Sequence, residues 1–406
     1  MPEAVIVDAV RSPIGRAFKG SLTGIRPDDL GAYIVDALLD RNPDVDPGIV
    51  DDLICGCGLP QGEQSYNIGR AIAMLSRLPV HVTGATVARY CASSLNSIAI
   101  AADAIKAGNA DVYIAAGVEH VSRVGMWSED GLPQLVNALK QNAPEEMRDQ
   151  IPTPDWKNPL LNGEDGRPDL YIAMGQTAEN VADKYDVSRE DMDKYAQRSQ
   201  ELAVKSQEDG FFGREIIPVE SNGTSVSKDD GPRADSTYET LASLKPAFRE
   251  NGRVTAGNSC PLNDGAAAVL LTSDAKAREL GLAPKARILG WATGGLEPEI
   301  MGVAPIPAVR NVLDKVGMTI DDIDAVELNE AFAAQVIPIM DELNIPLEKL
   351  NTHGGAIALG HPFGMTGARI MTTLLNVMET DDKQIGLETM CVAGGQGFAM
   401  IVERLN

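Results

Sequence analysis

Leu95 to Ala107, rich in Ala and Ile, runs into Gly108-Asn109-Ala110-Asp111 and then into Val112-Tyr113-Ile114-Ala115-Ala116-Gly117. That order reads as a nearly uncharged helix, a polar turn and a strand. It returns 272 residues later: Gly367 to Met378, the polar Glu379 to Asp382, then Ile385-Gly386-Leu387-Glu388-Thr389-Met390-Cys391. Helices with so little charge have no face suited to water, so both are expected to be buried on all sides.

The echo extends outward. Arg26-Pro27-Asp28-Asp29-Leu30 leads an amphipathic run from Gly31 to Asp40, then Asp51-Asp52 and the apolar Leu53-Ile54-Cys55-Gly56-Cys57. In the second half, Pro305-Ile306-Pro307 leads a run from Ala308 to Val316, then Asp321-Asp322-Ile323-Asp324 and Ala325-Val326-Glu327-Leu328. Both read as helix, acidic turn, strand. Opening strands at Ala4 to Ala9 and Ala286 to Gly290 fit the same duplication. Strands on both sides of buried helices predict an α/β fold, a layered α/β/α/β/α sandwich of two similar domains. Between them, from about Val121 to Ala242, tryptophan, proline and charge become frequent and strand patterning fades. Two helices stand out there, Gly175 to Tyr185 and Arg189 to Asp209, the second with Ser188 as its N-cap. The division expected is 1–120 plus 243–275 for the first half, 121–242 for an insertion, and 276–406 for the second half. An insertion near a reactive residue usually shapes a cleft, although it can also be a plain surface excursion.

The 406 residues carry 44% hydrophobic and 23% charged side chains, ordinary for a globular protein of two or three units. A net charge of −23 argues against nucleic acid and anionic membranes as partners. No apolar run is long enough to span a bilayer. The first residues enter a strand pattern rather than a targeting pattern, and the five cysteines show no disulfide spacing, so a reducing, cytoplasmic setting is expected. Cys55-Gly56-Cys57 has no second Cys or His pair at zinc spacing, so no metal is expected and the pair reads as a buried strand end.

Three segments carry a reactive residue among small neighbours. They are Tyr90-Cys91-Ala92-Ser93-Ser94-Leu95, the run Gly354-Gly355-Ala356-Ile357-Ala358-Leu359-Gly360-His361-Pro362, and Met390-Cys391-Val392-Ala393-Gly394-Gly395-Gln396-Gly397. Cys91 is expected at the start of a buried helix, where the helix dipole and free N–H groups would favour its thiolate. The alternative is an inert buried thiol, which the flanking Ser93 and Ser94 disfavour. His361 follows a loop with almost no side-chain bulk, which lets a ligand approach the backbone, and Pro362 suits a first helical position. Cys391 ends an apolar strand and enters a glycine run able to offer N–H donors to an oxyanion. A cysteine nucleophile, a histidine to ionise it and a second cysteine to move a proton suffice for thioester exchange followed by carbon–carbon bond chemistry. His81, His120 and His353 have weaker contexts. Asn329-Glu330-Ala331-Phe332 follows the strand Ala325 to Leu328, and an amide there can orient water or polarise a carbonyl.

Taken in order, these segments resemble the thiolases over essentially the whole chain. Met174-Gly175-Gln176-Thr177-Ala178-Glu179-Asn180, Thr255-Ala256-Gly257-Asn258 and Asn263-Asp264-Gly265-Ala266-Ala267-Ala268 look like family segments too. The resemblance implies a duplicated thiolase fold with an inserted loop domain that holds coenzyme A as substrate, with no other cofactor. It implies that Cys91 is the acylated nucleophile and that His361 deprotonates it and, with a water held by Asn329, stabilises the first thioester oxyanion. Cys391 would protonate the leaving acetyl-CoA carbanion, and the N–H groups of Cys91 and Ala393 would form the second oxyanion hole. Met174, Phe248 and Phe332 match positions lining the pantetheine or acyl tunnel, with Ala256, Cys260 and Ala331 beside them. Lys228 and Arg233 are candidates for the phosphates, although charged pairs in loops are usually just solvated.

Three departures stand out: Ala393 where the family commonly has Gly, Cys260 where a Ser is frequent, and Ala173 where some biosynthetic members carry His. The resemblance implies CoA-dependent cleavage of 3-oxoacyl-CoA by a ping-pong acyl-cysteine route, in fatty acid β-oxidation, by a homodimer or homotetramer. The alternatives are a biosynthetic acetoacetyl-CoA thiolase and a silent lipid carrier. Decarboxylating condensing enzymes share the fold but lack the C-terminal cysteine.

Overall fold

The computed structural model describes residues 2–124 and 172–405; much of the inserted region proposed for 121–242 therefore lies outside the described residues. The strands are β1 (Ala4–Arg11), β2 (Gly15–Arg16), β3 (Asp52–Gly56), β4 (Thr83–Val87), β5 (Val112–His120), β6 (Val219–Ser221), β7 (Thr224–Val226), β8 (Asn263–Ser273), β9 (Ala286–Gly295), β10 (Ala325–Leu328), β11 (Ile385–Val392) and β12 (Gln396–Arg404). The longer helices are α1 (Pro27–Arg41), α2 (Ile68–Leu75), α3 (Ser93–Lys106), α4 (Met174–Lys184), α5 (Arg189–Glu208), α6 (Pro305–Val316), α7 (Ala333–Leu343) and α8 (Thr366–Thr380).

The duplication is visible in the strand order. The first half runs β1-β8-β5-β3-β4 and the second β9-β12-β11-β10, each with antiparallel pairs beside the junction of the halves and parallel pairs at the outer edge. Where the first half has β4, the second has a single parallel bridge, Val326 to Leu350. The two opening strands meet antiparallel at Val5–Arg287 and Ile6–Ala286, so both halves join into one ten-stranded sheet.

Three apolar cores separate the layers. One lies between α1, α2 and the first half-sheet. Another holds α3 and α8 against the inner faces of both half-sheets. The third packs α6 and α7 on the outer face of the second. The order is thus α/β/α/β/α. α8 is buried from Thr366 to Met378, but α3 is not buried all round: Ile100 is 39% exposed and Asp103 reaches solvent, where it accepts from Trp291 Nε1. Few charges in a helix do not guarantee burial on every face.

β8 and β12 were not expected as strands. β8 is buried at all eleven positions, so it lacks the alternation that marks a half-exposed strand. Ser188 does cap its helix, accepting from Asp191 N. A buried charge cluster ties the parts together: Arg11 pairs with Glu215 at 2.6 Å and Asp229 at 2.8 Å, and Glu215 accepts from Thr373 and Asn376 on α8. Cys55 and Cys57 are fully buried around the end of β3, and all five cysteines are free. Among the described residues no helix is long and apolar enough to cross a membrane.

Candidate active site

The two central helices cross at their N-terminal ends. Gly367 sits against Leu95, where an added Cβ would lie 2.6 Å from the Leu95 Cβ, and Ser94 Oγ accepts from Ala368 N at 2.9 Å. Ser94 therefore satisfies a first-turn N–H of the opposite helix. This crossing brings together the two turns that precede the helices, and with them Cys91 and His361.

Cys91 lies in a single 3-10 turn, Tyr90–Ala92, that runs directly into α3. Tyr90 adopts φ +44°, a conformation that costs a non-glycine residue of order 1–3 kcal/mol and that persists here at the residue before the thiol. The turn packs against β11, which carries Cys391, and against the start of α8. Burial pushes the Cys91 thiol well above its ordinary range, helped by the nearby thiols of Cys391 and Cys260, while the N–H groups of Ala393 and of Cys91 itself oppose the rise. Against the expectation that the helix start would favour a thiolate, desolvation outweighs the N–H donors at the sulfur, and the thiol form is favoured.

His361 is 1% exposed. Its Nδ1 lies 2.6 Å from Thr366 Oγ1, and that hydroxyl donates onward to Pro362 O at 2.8 Å. The hydroxyl proton is thus committed, so Nδ1 carries the imidazole proton and donates to Thr366. Nε2 is then a free base, 3.3 Å from Asn329 Nδ2, which donates to it. Burial and the Arg369 charge push His361 down to about 3, so the ring is neutral at physiological pH. Pro362 does not open a helix, as its position had suggested. Residues 363–365 form a turn and α8 starts at Thr366. The glycine-rich loop itself holds one helical turn, Ala356–Leu359, closed by Gly360 at φ +113°, against the Asn263 amide that accepts from His361 N at 3.0 Å.

Cys391 is fully buried near the end of β11. It is held by Gln335, whose Nε2 donates to Sγ at 3.2 Å and whose Oε1 lies 3.3 Å away, within reach of the S–H. Burial raises its pKa to about 11, and the Gln335 contact restrains the rise. Gln335 Nε2 also reaches the Asn329 carbonyl at 3.4 Å, so one amide links Cys391 to the segment carrying Asn329. Asn329 Oδ1 is buried without a hydrogen-bond partner among the described residues. Cys91, His361, Asn329, Cys391 and Ala393 N–H thus converge on one buried locus. It holds a neutral base, two protonated thiols and inward-facing N–H donors, a set suited to thioester exchange.

Around it, Cys260 N–H bonds the Ala331 carbonyl at 2.9 Å, and burial raises the Cys260 thiol to about 12. Phe332 and Phe248 meet edge to face at 6.0 Å, and Gly175, next to Met174 at the start of α4, leaves room for the Phe248 ring. Ala256, Lys228 and Arg233 are exposed. The loop carrying Lys228 and Arg233 packs through Gly231 against Ala358, next to the His361 loop, with both cationic side chains turned to solvent.

Sequence reasoning overlooked Gln335, Thr366, Asn263, Glu119 and Glu330. Glu330 was inside a quoted motif. Its carboxylate accepts from Tyr195 and Asn351, both at 2.8 Å, from Ser199 at 2.6 Å and from Ile357 N at 3.1 Å, tying α5 to the His361 loop. Gln335, on the helix after Asn329, had no pattern to mark it.

The chain resembles known proteins along its length. The thiolase N-terminal domain matches residues 4–275 and the thiolase C-terminal domain residues 282–404. The chain is 44% identical to the 3-ketoacyl-CoA thiolase of Bacillus subtilis, over 99% of this chain and 100% of that one. It is also 44% identical to the beta-ketoadipyl-CoA thiolase of Pseudomonas aeruginosa, over 99% of each. The crystal structure of the Bacillus anthracis acetyl-CoA acetyltransferase superposes with a TM-score of 0.86 at 38% identity, covering 100% of this chain and 99% of that one. With both domain models matched in order and relatives aligned end to end, the chain belongs to the thiolase family and is an acyltransferase.

Proposed function

We propose that the chain cleaves 3-oxoacyl-CoA with coenzyme A to give acetyl-CoA and a shortened acyl-CoA. The observation that carries this reading is the neutral His361, its Nε2 unprotonated and facing Asn329, in one buried locus with two protonated thiols. Cys91 loses its proton to His361 as its sulfur attacks the 3-oxo carbon. The C2–C3 bond then breaks, the acyl group stays on Cys91, and the electron pair passes to acetyl-CoA C2, which takes a proton from Cys391. The oxyanion on the carbon bonded to Cys91 would be met by the N–H groups of Cys91 and Ala393. The thioester oxyanion, the enolate oxygen of the leaving acetyl-CoA, would be met by His361 and a water held by Asn329, whose unpartnered Oδ1 suits that role. CoA thiol then gives its proton to Cys391 and attacks the acyl-cysteine, and the Cys91 sulfur leaves and takes its proton back from His361, which makes the kinetics ping-pong. A methyl at Ala393 leaves this N–H donor in place. Met174, Phe248, Ala256, Cys260, Ala331 and Phe332 would border the pantetheine path, and Lys228 and Arg233 would meet phosphates at its mouth.

The relatives divide on the acyl group. The name 3-ketoacyl-CoA thiolase favours linear chains from fatty acid β-oxidation, which remains our first reading. Beta-ketoadipyl-CoA favours a dicarboxylic acyl group. The acetyltransferase structure favours the biosynthetic alternative. Thiolysis assayed on acetoacetyl-, longer 3-oxoacyl- and 3-oxoadipyl-CoA separates them: activity rising with chain length supports the first reading, and activity confined to one of the others moves the assignment. The half-exposed edge strand β4, with Tyr66, Met74, Leu75 and Val80 exposed near it, supports a homo-oligomer, which light scattering checks. Five free cysteines suit a reducing, cytoplasmic setting.

A further inference from the structure

Two buried carboxylates hold the loop that carries His361, one at each end. Glu330 takes the front, at Ile357 N. Glu119, fully buried at the end of β5, takes the back: its Oε2 accepts from Gly364 N and from Gly58 N, both at 2.8 Å. Its Oε1 accepts from Leu59 N at 3.3 Å and from the Gln64 amide. Gln64 is fixed in that orientation because its own Oε1 accepts from His120 N at 2.9 Å. Gly58 lies where an added Cβ would be 2.6 Å from Glu119 Oε2, 2.8 Å from the Phe363 Cβ and 3.2 Å from the Tyr90 carbonyl. Glu119 thus binds together the turn after His361, the loop after β3 and the turn that presents Cys91, without reaching the reacting atoms.

We propose that Glu119, as a carboxylate, is a positioning residue that clamps the turn after His361 to the loop beneath Cys91, so that protonating it uncouples the base from the nucleophile. This rests on the thiolase reading above. All four partners are N–H donors, so a proton on either oxygen sets an O–H against two of them. Burial pushes Glu119 up to about 7 against the pull of those donors, which places the change in the neutral range. The titratable groups facing it are the thiols of Cys55 and Cys57, which burial keeps protonated. His120, next in the chain, turns to the Leu22 carbonyl and Asp264, and Arg123 pairs with Glu63. His361 titrates far lower and gives no limb near 7.

The test compares the wild type, Glu119→Gln and Gln64→Leu between pH 5.5 and 8.5. Thiolysis of acetoacetyl-CoA gives kcat and KM, and iodoacetamide alkylation of Cys91, read by peptide mass spectrometry, gives a signal that needs no turnover. The wild type is expected to lose kcat/KM and Cys91 alkylation on the acid side with a midpoint near 7. Glu119→Gln should lower kcat about 10- to 10²-fold at pH 8, leave KM within about threefold and remove the acid limb, the size expected of a catalytic group misplaced by about 1 Å. Gln64→Leu removes a donor that favours the carboxylate, so its limb should move to higher pH. A limb that Gln64→Leu leaves in place, in turnover or in alkylation, overturns the proposal, and so does full kcat in Glu119→Gln. If Glu119→Gln fails to fold, the Gln64→Leu limb decides alone. Absence of thiolysis by the wild type would instead sink the functional reading, and the alkylation limb would still judge Glu119.

Discussion

The two halves of the molecule share strand order and central helix, yet they treat the residue before that helix differently. In the first half one 3-10 turn separates Arg89 from α3, and Cys91 rides directly on the helix it precedes. In the second half the longer segment from Gly355 to Met365 precedes α8, and His361 is held by side chains from other elements: Asn263, Asn329 and Thr366, with Glu119 and Glu330 at the ends. Cys91 is therefore placed by local backbone and His361 by tertiary contacts. The repeated halves offer two equivalent helix ends, and the different segments before them set a thiol at one and an imidazole at the other.

Substitutions test that contrast. Cys91→Ser should lower thiolysis at least about 10⁴-fold while leaving the melting temperature nearly unchanged, because a hydroxyl fits the turn but is a far weaker nucleophile. Persistent thiolysis would remove Cys91 from its role. His361→Ala should lower kcat about 10³-fold through loss of the general base. Iodoacetamide labelling of Cys91 should slow in parallel, and unchanged labelling would mean that the two halves do not cooperate in the ground state. Gln335→Leu should lower kcat about tenfold and move the titration of Cys391, followed by thiolate absorbance, above about 11, since the amide restrains the rise caused by burial. A downward move would contradict the contact described here. Phe248→Ala should raise the KM for coenzyme A about threefold with kcat intact, the scale of one lost edge-to-face pair at a partly exposed site.

Particular elements show what was legible beforehand. β10 was read at its observed limits, and Ser188 was correctly named as an N-cap, because both signals are local: an apolar run between acidic turns, and a hydroxyl three residues before Asp191. β8 and β12 were missed because strands covered on both faces lose their alternation. Cys91, His361, Asn329 and Cys391 stood out through their small-residue settings. Gln335, Thr366 and Glu119 did not, because what marks them is the atom each one faces.

By itself, then, the chain's pattern determined the duplication, the layered α/β class and which residues carry reactive atoms, since periodicity and glycine placement are properties of neighbours along the chain. Only the tertiary structure decided the protonation states and the partners. Burial is a property of the packed molecule, and in this site it outweighs the N–H donors at Cys91 and the ordinary basicity of His361.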